Sequence, residues 1–144
     1  MEIKRVSVKE AGLVAQLAIQ MWNDNSIDGL EAEFVNYMNN GGAVFVTYDN
    51  GVAVAFAQCG LRCDYVEGTE TSPVGYLEGV FVKEGYRRQG VARNLVRECQ
   101  RFAKEQGCME FASDCELSNE ESLKFHLKLG FEEANRIICF TKKL

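Results

Sequence analysis

Proline, histidine and tryptophan are nearly missing from this chain, with one of each in 144 residues. No low-complexity tract or Pro/Gly-rich linker divides it, and the polar run from Asp64 to Ser72 is too short to separate domains. The length then suits one domain over residues 1–144, burying about 70% of its unfolded surface. At 47% hydrophobic the chain is too apolar for disorder. No apolar run approaches the roughly 18 residues of a membrane span. Met1-Glu2-Ile3-Lys4-Arg5 lacks the apolar stretch of a secretory signal. The expected compartment is the cytoplasm, with no membrane partner. The six cysteines, at 59, 63, 99, 108, 115 and 139, form no C-x-x-C pair, and His126 is the only histidine. No metal site is expected from so sparse a ligand set. Without a secretory signal no disulfide framework is expected, and the thiols read as free and buried. Positive charge is also short: 16 Lys and Arg stand against 21 Asp and Glu, for a net charge of −5. That balance disfavours nucleic acid and suits a cationic small molecule.

What is present is a regular pattern of short elements. Residues 2–6 read as a strand. Leu13, Val14, Leu17, Ala18, Met21 and Trp22 recur at helical spacing and predict an amphipathic helix over 9–22. A second helix is expected over 28–39, stopped by Gly41-Gly42. The β-formers of 43–48 and 52–62 flank Asp49-Asn50-Gly51, and Asn-Gly is a strong hairpin signal. Residues 74–82 read as a further strand. Val91, Ala92, Leu95, Val96, Cys99, Phe102 and Ala103 make one apolar stripe, ended by Gly107. Residues 109–113 return as a strand. Ser118 and Glu121 fit a capping box for a helix running to Leu129 and Gly130. Residues 131–142 read as a last hairpin. The order predicts a mixed α/β fold.

The junction from Val80 to Ala92 stands out: Val80-Phe81-Val82-Lys83-Glu84-Gly85-Tyr86-Arg87-Arg88-Gln89-Gly90-Val91-Ala92. A strand ends there, a loop turns, and a long helix begins. First-turn N–H groups of a helix have no intrahelical acceptor and lie at the positive end of its dipole. Gly90 and Ala92 are small enough for a phosphate to approach the backbone. The Lys-Ser/Thr of a Walker loop is absent, as is G-x-G-x-x-G. Residues 87–104 hold six basic residues and one acidic, whereas 105–123 hold six acidic and none basic. Such a partition suggests a site with one end for polyphosphate and one for a cation. Charges that only solvate helix faces would give the same count.

Arg87-x-x-Gly90-x-Ala92 resembles the pyrophosphate-binding motif of the GNAT superfamily of N-acetyltransferases, and the Asn119…Lys128-Leu129-Gly130-Phe131 ending agrees with it. The resemblance spans essentially the whole chain. It implies a mostly antiparallel sheet flanked by helices, with acetyl-CoA as cosubstrate. It further implies that backbone groups from Val80 through Phe81 to Val82 hold the pantetheine and acetyl carbonyl. Amides at Arg88, Gln89, Gly90, Val91 and Ala92, beside Arg87, would hold the pyrophosphate. Asn119 would lie near the pantetheine arm, or serve only in the first turn of its helix. Trp22, the run Tyr65-Val66-x-Gly68-Thr69-Glu70-Thr71-Ser72-Pro73-Val74-Gly75-Tyr76-Leu77-Glu78-Gly79 and Glu110-Phe111-Ala112-Ser113-Asp114 look like the aminoglycoside 6′-N-acetyltransferases of that superfamily. That resemblance implies aminoglycoside contacts from Trp22, Tyr65, Glu78 and Asp114. It also implies a homodimer whose last strands help to build the interface and the acceptor site. Asn135 stands near where some relatives carry an acidic residue, a departure that removes any charge role there.

The chemistry gives these residues work. A primary amine titrates near ~10 and must lose a proton before it attacks a thioester. Glu78 and Asp114, at the ends of adjacent strands, would flank the ammonium, with Glu78 binding it and relaying its proton through water. A backbone N–H of Val80–Val82 would stabilise the oxyanion, with a strand irregularity at Gly79 freeing it. Many relatives place a tyrosine four residues before the glycine of the final Gly-Phe pair; here His126 stands there, either as acid for the thiolate or as a structural residue. Trp22 and Tyr65 offer aromatic faces to sugar rings and ammonium groups, or else pack in the core. Acetylation of a polyamine or a protein N-terminus, and a non-catalytic acyl-CoA sensor, are the competing functions.

Overall fold

The computed structural model describes all of residues 1–144. Strands β2 (Ala43–Asp49) and β3 (Val52–Arg62) form its centre. Asn50 and Gly51 join them at φ of +49° and +80°, the doubly left-handed turn a two-residue hairpin needs. β1 (Glu2–Arg5) pairs antiparallel outside β2, and β4 (Val74–Val82) antiparallel outside β3. β5 (Phe111–Ser113) lies parallel to β4 and completes a five-stranded sheet in the order β1-β2-β3-β4-β5.

Helices cover both faces. On one face, α1 (Ala11–Ala18) and α2 (Ile27–Asn39) bring Val14, Leu17, Leu30 and Phe34 onto Val44, Val46 and Phe56. On the other, α3 (Val91–Glu105) brings Leu95, Val96, Cys99 and Phe102 onto Ala43, Phe45, Ala55 and Ala57. Alternate residues of β2 and β3 therefore serve two cores, which is why these strands are apolar without a polar face. Each fully buried Leu or Phe contributes about 1.5–3 kcal/mol.

Three local readings need correction. The helix expected over 9–22 is shorter, Ala11–Ala18, because Ser7 caps a separate turn ahead of it. Ser7 N–H donates to Glu10 Oε2 at 2.7 Å and Lys9 N–H to Ser7 Oγ at 3.3 Å, capping a 3₁₀ turn over Val8–Glu10 before α1. At the other end, Trp22 N–H still donates to Ala18 O at 2.8 Å. The cap of α4 (Glu120–Lys128) is Asn119, not Ser118. Asn119 Oδ1 accepts from Ser122 N–H at 3.1 Å, and an Asn cap one residue on replaces the expected Ser118–Glu121 box. Residues 131–144 form no strand, so the last hairpin is absent. The segment pairs with neither edge strand, β1 or β5, and β-propensity without a pairing partner builds no strand. Its start is anchored, with Phe131 6.0 Å from Phe111 and 5.2 Å from His126 between ring centres. Asn135 Nδ2 donates to Glu67 Oε1 at 2.7 Å.

All six cysteines are free. Cys59, Cys99 and Cys108 are buried as expected; Cys63, Cys115 and Cys139 are exposed because they lie beyond strand ends and in the tail, where no layer covers them. No helix is long and apolar enough to cross a membrane.

Candidate active site

β3 and β4 fall out of step at one residue. Gln58 faces Gly79 and Cys59 faces Leu77, which leaves Glu78 without a partner. This is a bulge, one residue before the glycine that the sequence pointed to. It rephases the strand, so that Leu77 and Val82 share the core beneath α3 despite an odd spacing. β5 pairs only with Gly75, Tyr76 and Leu77. Past Leu77 that side of β4 is open. Lys83 N–H donates to Val54 O at 2.9 Å, which makes Val82–Ala55 a non-hydrogen-bonded pair. Alternation then turns the N–H and C=O groups of Val80 and Val82 away from β3 and onto the open edge. Phe81 differs: its backbone pairs with Phe56 and its ring is buried beneath α1 and α2.

The open edge runs into a second feature. After a 3₁₀ turn over Glu84–Tyr86, Arg88 and Gly90 take φ of +62° and +79°, and α3 begins. The six N–H groups from Arg88 to Arg93 have no acceptor within the protein. They sit where the helix dipole is positive. A Cβ at Gly90 would meet nothing within 4 Å, so the mouth of this amide cradle is clear. Arg87 Nε donates to Val82 O at 2.9 Å and ties the cradle to the strand end. Gln89 Nε2 reaches back to Gly85 O at 3.2 Å. Val91 is buried in the core beneath α3 and offers only its amide, while Ala92 packs partly against that core. A cradle of free amides beside a strand with free amides fits a long, phosphate-bearing acyl carrier.

The acidic residues lie on the α2 side of the bulge, and they are not bare. Arg62 Nη2 donates to Glu78 Oε1 at 2.8 Å. The Arg62 guanidinium carbon lies 3.4 Å from the centre of the Tyr76 ring, and the Tyr76 hydroxyl donates to Asp114 Oδ2. Glu78 and Asp114, expected to flank one ammonium, are thus joined through Arg62 and Tyr76. Burial, then the bond to Asp114, pushes the Tyr76 phenol up and keeps it a neutral donor. Burial and the Glu78 charge do the same for Tyr37 of α2. For Arg62, burial works against the charge, but the bond and charge of Glu78 outweigh it and the pKa is raised.

The aromatic residues separate. Trp22 packs on the bulge, where a Cβ at Gly79 would lie 2.7 Å from its indole. Its ring centre stands 6.4 Å from Phe34 and 6.2 Å from Phe56, so it is both core and site wall. Tyr65 is 76% exposed on the 64–72 loop, and no hydrogen bond or ring contact joins it to the acidic cluster. Its hydroxyl accepts from Gly68 N–H at 3.4 Å. That loop is pinned by Glu110, whose Oε1 accepts from the N–H groups of Glu70 and Thr71 at 2.9 and 2.8 Å and from the Thr71 hydroxyl at 2.5 Å. The Thr71 hydroxyl, then the Glu70 amide, holds the Glu110 carboxyl below its usual range.

His126 is engaged at both nitrogens. Nδ1 lies 2.7 Å from Ser122 O, and Nε2 2.8 Å from Ser113 Oγ. A carbonyl only accepts, so Nδ1 donates to Ser122 O, and Ser113 Oγ is shared between Nε2 and Leu77 O. These contacts tie α4 to β5 and, through Ser113 Oγ, to Leu77 O at 3.2 Å, where the open edge begins. Asn119 is spent as a cap through Oδ1, and its Nδ2 makes no hydrogen bond within the protein. Sequence reasoning missed Arg62, Tyr76 and Tyr37. A charged end on the apolar strand β3 was the one visible signal, for Arg62. No group of three or more His, Cys, Asp or Glu side chains gathers as a metal site.

The comparisons agree with this geometry. The model of the acetyltransferase (GNAT) family matches residues 14–131. An aminoglycoside N(6')-acetyltransferase type 1 of Acinetobacter haemolyticus is 36% identical over 144 residues, all of this chain and 99% of the relative. One from Stenotrophomonas maltophilia is 37% identical over 143 residues, 99% of this chain and 93% of the relative. A solved aminoglycoside N-acetyltransferase, AAC(6')-Iy in complex with CoA, superposes with a TM-score of 0.94 at 35% identity, covering 99% of this chain and 95% of its own. The same enzyme with the bisubstrate analogue CoA-S-monomethyl-acetylneamine gives 0.93 at 35% identity, covering 99% and 98%. With its bulged and open fourth strand, its amide cradle and its match across the family model, the chain belongs to the GNAT acetyltransferase family.

Proposed function

We propose that this chain transfers the acetyl group of acetyl-CoA to the 6′-amino group of aminoglycosides, directly, in a ternary complex, and so gives resistance to them. The observation that carries this reading is the open edge of β4, which puts the free N–H groups of Val80 and Val82 and the free Val80 carbonyl next to the bulged Glu78. The names of the full-length relatives supply the acceptor class. The amides from Arg88 to Ala92 bind the pyrophosphate. The backbone of Val80 and Val82 aligns the pantetheine arm and the acetyl carbonyl, and one of their N–H groups donates to the oxyanion. Glu78 and Asp114 receive the acceptor ammonium, beside the Trp22 wall. Glu78 takes its proton through water, the amine nitrogen then bonds to the carbonyl carbon, and the C–S bond breaks. The nitrogen sheds its second proton as the amide forms, and water relays it to the departing thiolate, whose ordinary thiol pKa of ~8.5 calls for no strong acid. No metal is needed for this scheme.

The 144 residues act as one acetyltransferase domain. The protein works in the cytoplasm, where the surface thiols Cys63, Cys115 and Cys139 stay reduced. It forms a homodimer through residues 131–144, where Ile138 and Phe140 are 80% and 87% exposed. Thiol release from acetyl-CoA tests the activity, with kanamycin A, a 6′-hydroxy analogue lacking the 6′-amine, and spermidine as acceptors. Release with kanamycin A alone is expected. Release with spermidine alone moves the function to polyamines, and tight acetyl-CoA binding without release points to a sensing domain.

A further inference from the structure

Two carboxylates beside one amine present a conflict. They attract the ammonium, yet they also make it hold its proton, and only the neutral amine attacks. The cluster around Glu78 contains a feature that answers this. Each carboxylate has one oxygen committed and one free: Glu78 Oε1 to Arg62, Asp114 Oδ2 to the Tyr76 hydroxyl, with Glu78 Oε2 and Asp114 Oδ1 bonded to nothing in the protein. Arg62 is fixed from two sides, by Glu78 at 2.8 Å and by the Tyr76 face at 3.4 Å. The titratable groups around it are Tyr37 from α2, Tyr76 and Glu78 from β4, and Asp114 beyond β5. Both tyrosines stay neutral. The cluster therefore carries a net charge of about −1 rather than −2 at neutral pH.

We propose that Arg62 is a positioning residue for the acceptor: through Glu78 and Tyr76 it aims the two free carboxylate oxygens at one amine, and its fixed positive charge lowers that amine's hold on its proton. A bound ammonium brings the cluster to neutrality instead of sitting as the sole cation between two anions. The acceptor is recognised as a primary ammonium on a polar scaffold, and it is released to react at a lower pH than bare carboxylates would allow. This rests on the acetyltransferase reading above.

The test is the pH profile of kcat with kanamycin A for wild type, Arg62→Met and Arg62→Lys, with circular dichroism confirming that each variant folds. Removing one unit charge within a few ångströms of the amine should move the acid limb of Arg62→Met up by about one pH unit. Its KM for the acceptor should fall or hold, because the acidic pair is then more negative. Arg62→Lys keeps the charge and should keep the limb near that of wild type, which a role in packing alone would not require. An unmoved limb in Arg62→Met, with wild type active, overturns the proposal and leaves the acetyltransferase reading standing. If Arg62→Met does not fold, an acid limb in Arg62→Lys displaced as far as the predicted shift overturns it. An inactive wild type overturns both.

Discussion

Glu78 holds its place for a reason visible only in three dimensions. As the unpaired residue of the bulge, it is released from the pleat that would otherwise alternate it into a core. Its carboxylate stands at the bulge, one oxygen bonded to Arg62 and the other free. Glu78→Ala should lower kcat by about 10²-fold or more and raise the acceptor KM, the scale of losing a positioned proton acceptor. The affinity for acetyl-CoA should stay within about twofold, because the amide cradle is untouched; steady-state kinetics with calorimetry separates the two. His126 behaves differently. Its ring nitrogens hold Ser122 O and Ser113 Oγ, so His126→Ala should destabilise the fold by about 1–3 kcal/mol. The same change should reduce kcat less than tenfold, and a loss of two decades would make His126 the general acid instead. Glu78 and Asp114 stood out in the sequence through the family-like segments that hold them, although Glu78 lies inside β4 at the bulge and not at a strand end. Arg62 was not, because its partner lies 16 positions away across a bulge that no spacing rule announces.

At the scale of elements, the stripe of α3 was read correctly because its apolar residues all face one sheet. The start of α3 matters more than the stripe. Gly90 holds φ of +79° and leaves the cradle clear. Gly90→Val places a branched side chain in a left-handed conformation, at a cost of about 1–2 kcal/mol, and over the mouth of the cradle. Acetyl-CoA affinity measured by calorimetry should drop at least tenfold, with the acceptor side unaltered; unchanged affinity would contradict the cradle as the phosphate site. Two element boundaries escaped the sequence. Ser7 capped a short turn ahead of α1, and Asn119 outcompeted Ser118, since small polar caps in a row are equivalent until the geometry chooses. The open edge of β4 was anticipated only in outline. A strand as short as β5 cannot be measured by periodicity, and its length decides where the opening begins.

For the whole molecule, the order of elements was legible through α4, because both cores follow from alternation and helical spacing. The tail was not. Residues 131–144 carry β-forming residues that join neither edge strand of the sheet, and one sequence cannot say whether a second copy pairs with them instead. If it does, Ile138→Asp should convert a dimer into a monomer in sedimentation equilibrium, since a charge in a buried interface core is strongly disfavoured. A wild type that is monomeric at assay concentrations would remove the tail from that role. The most direct test of the whole account is the position of the new amide. Kanamycin A is incubated with the protein and acetyl-CoA carrying a ¹³C carbonyl, and the product is examined by ¹³C–¹H correlation. The account predicts one labelled amide, coupled to the 6′ methylene. A label on any other amine, or no labelled amide at all, would contradict it.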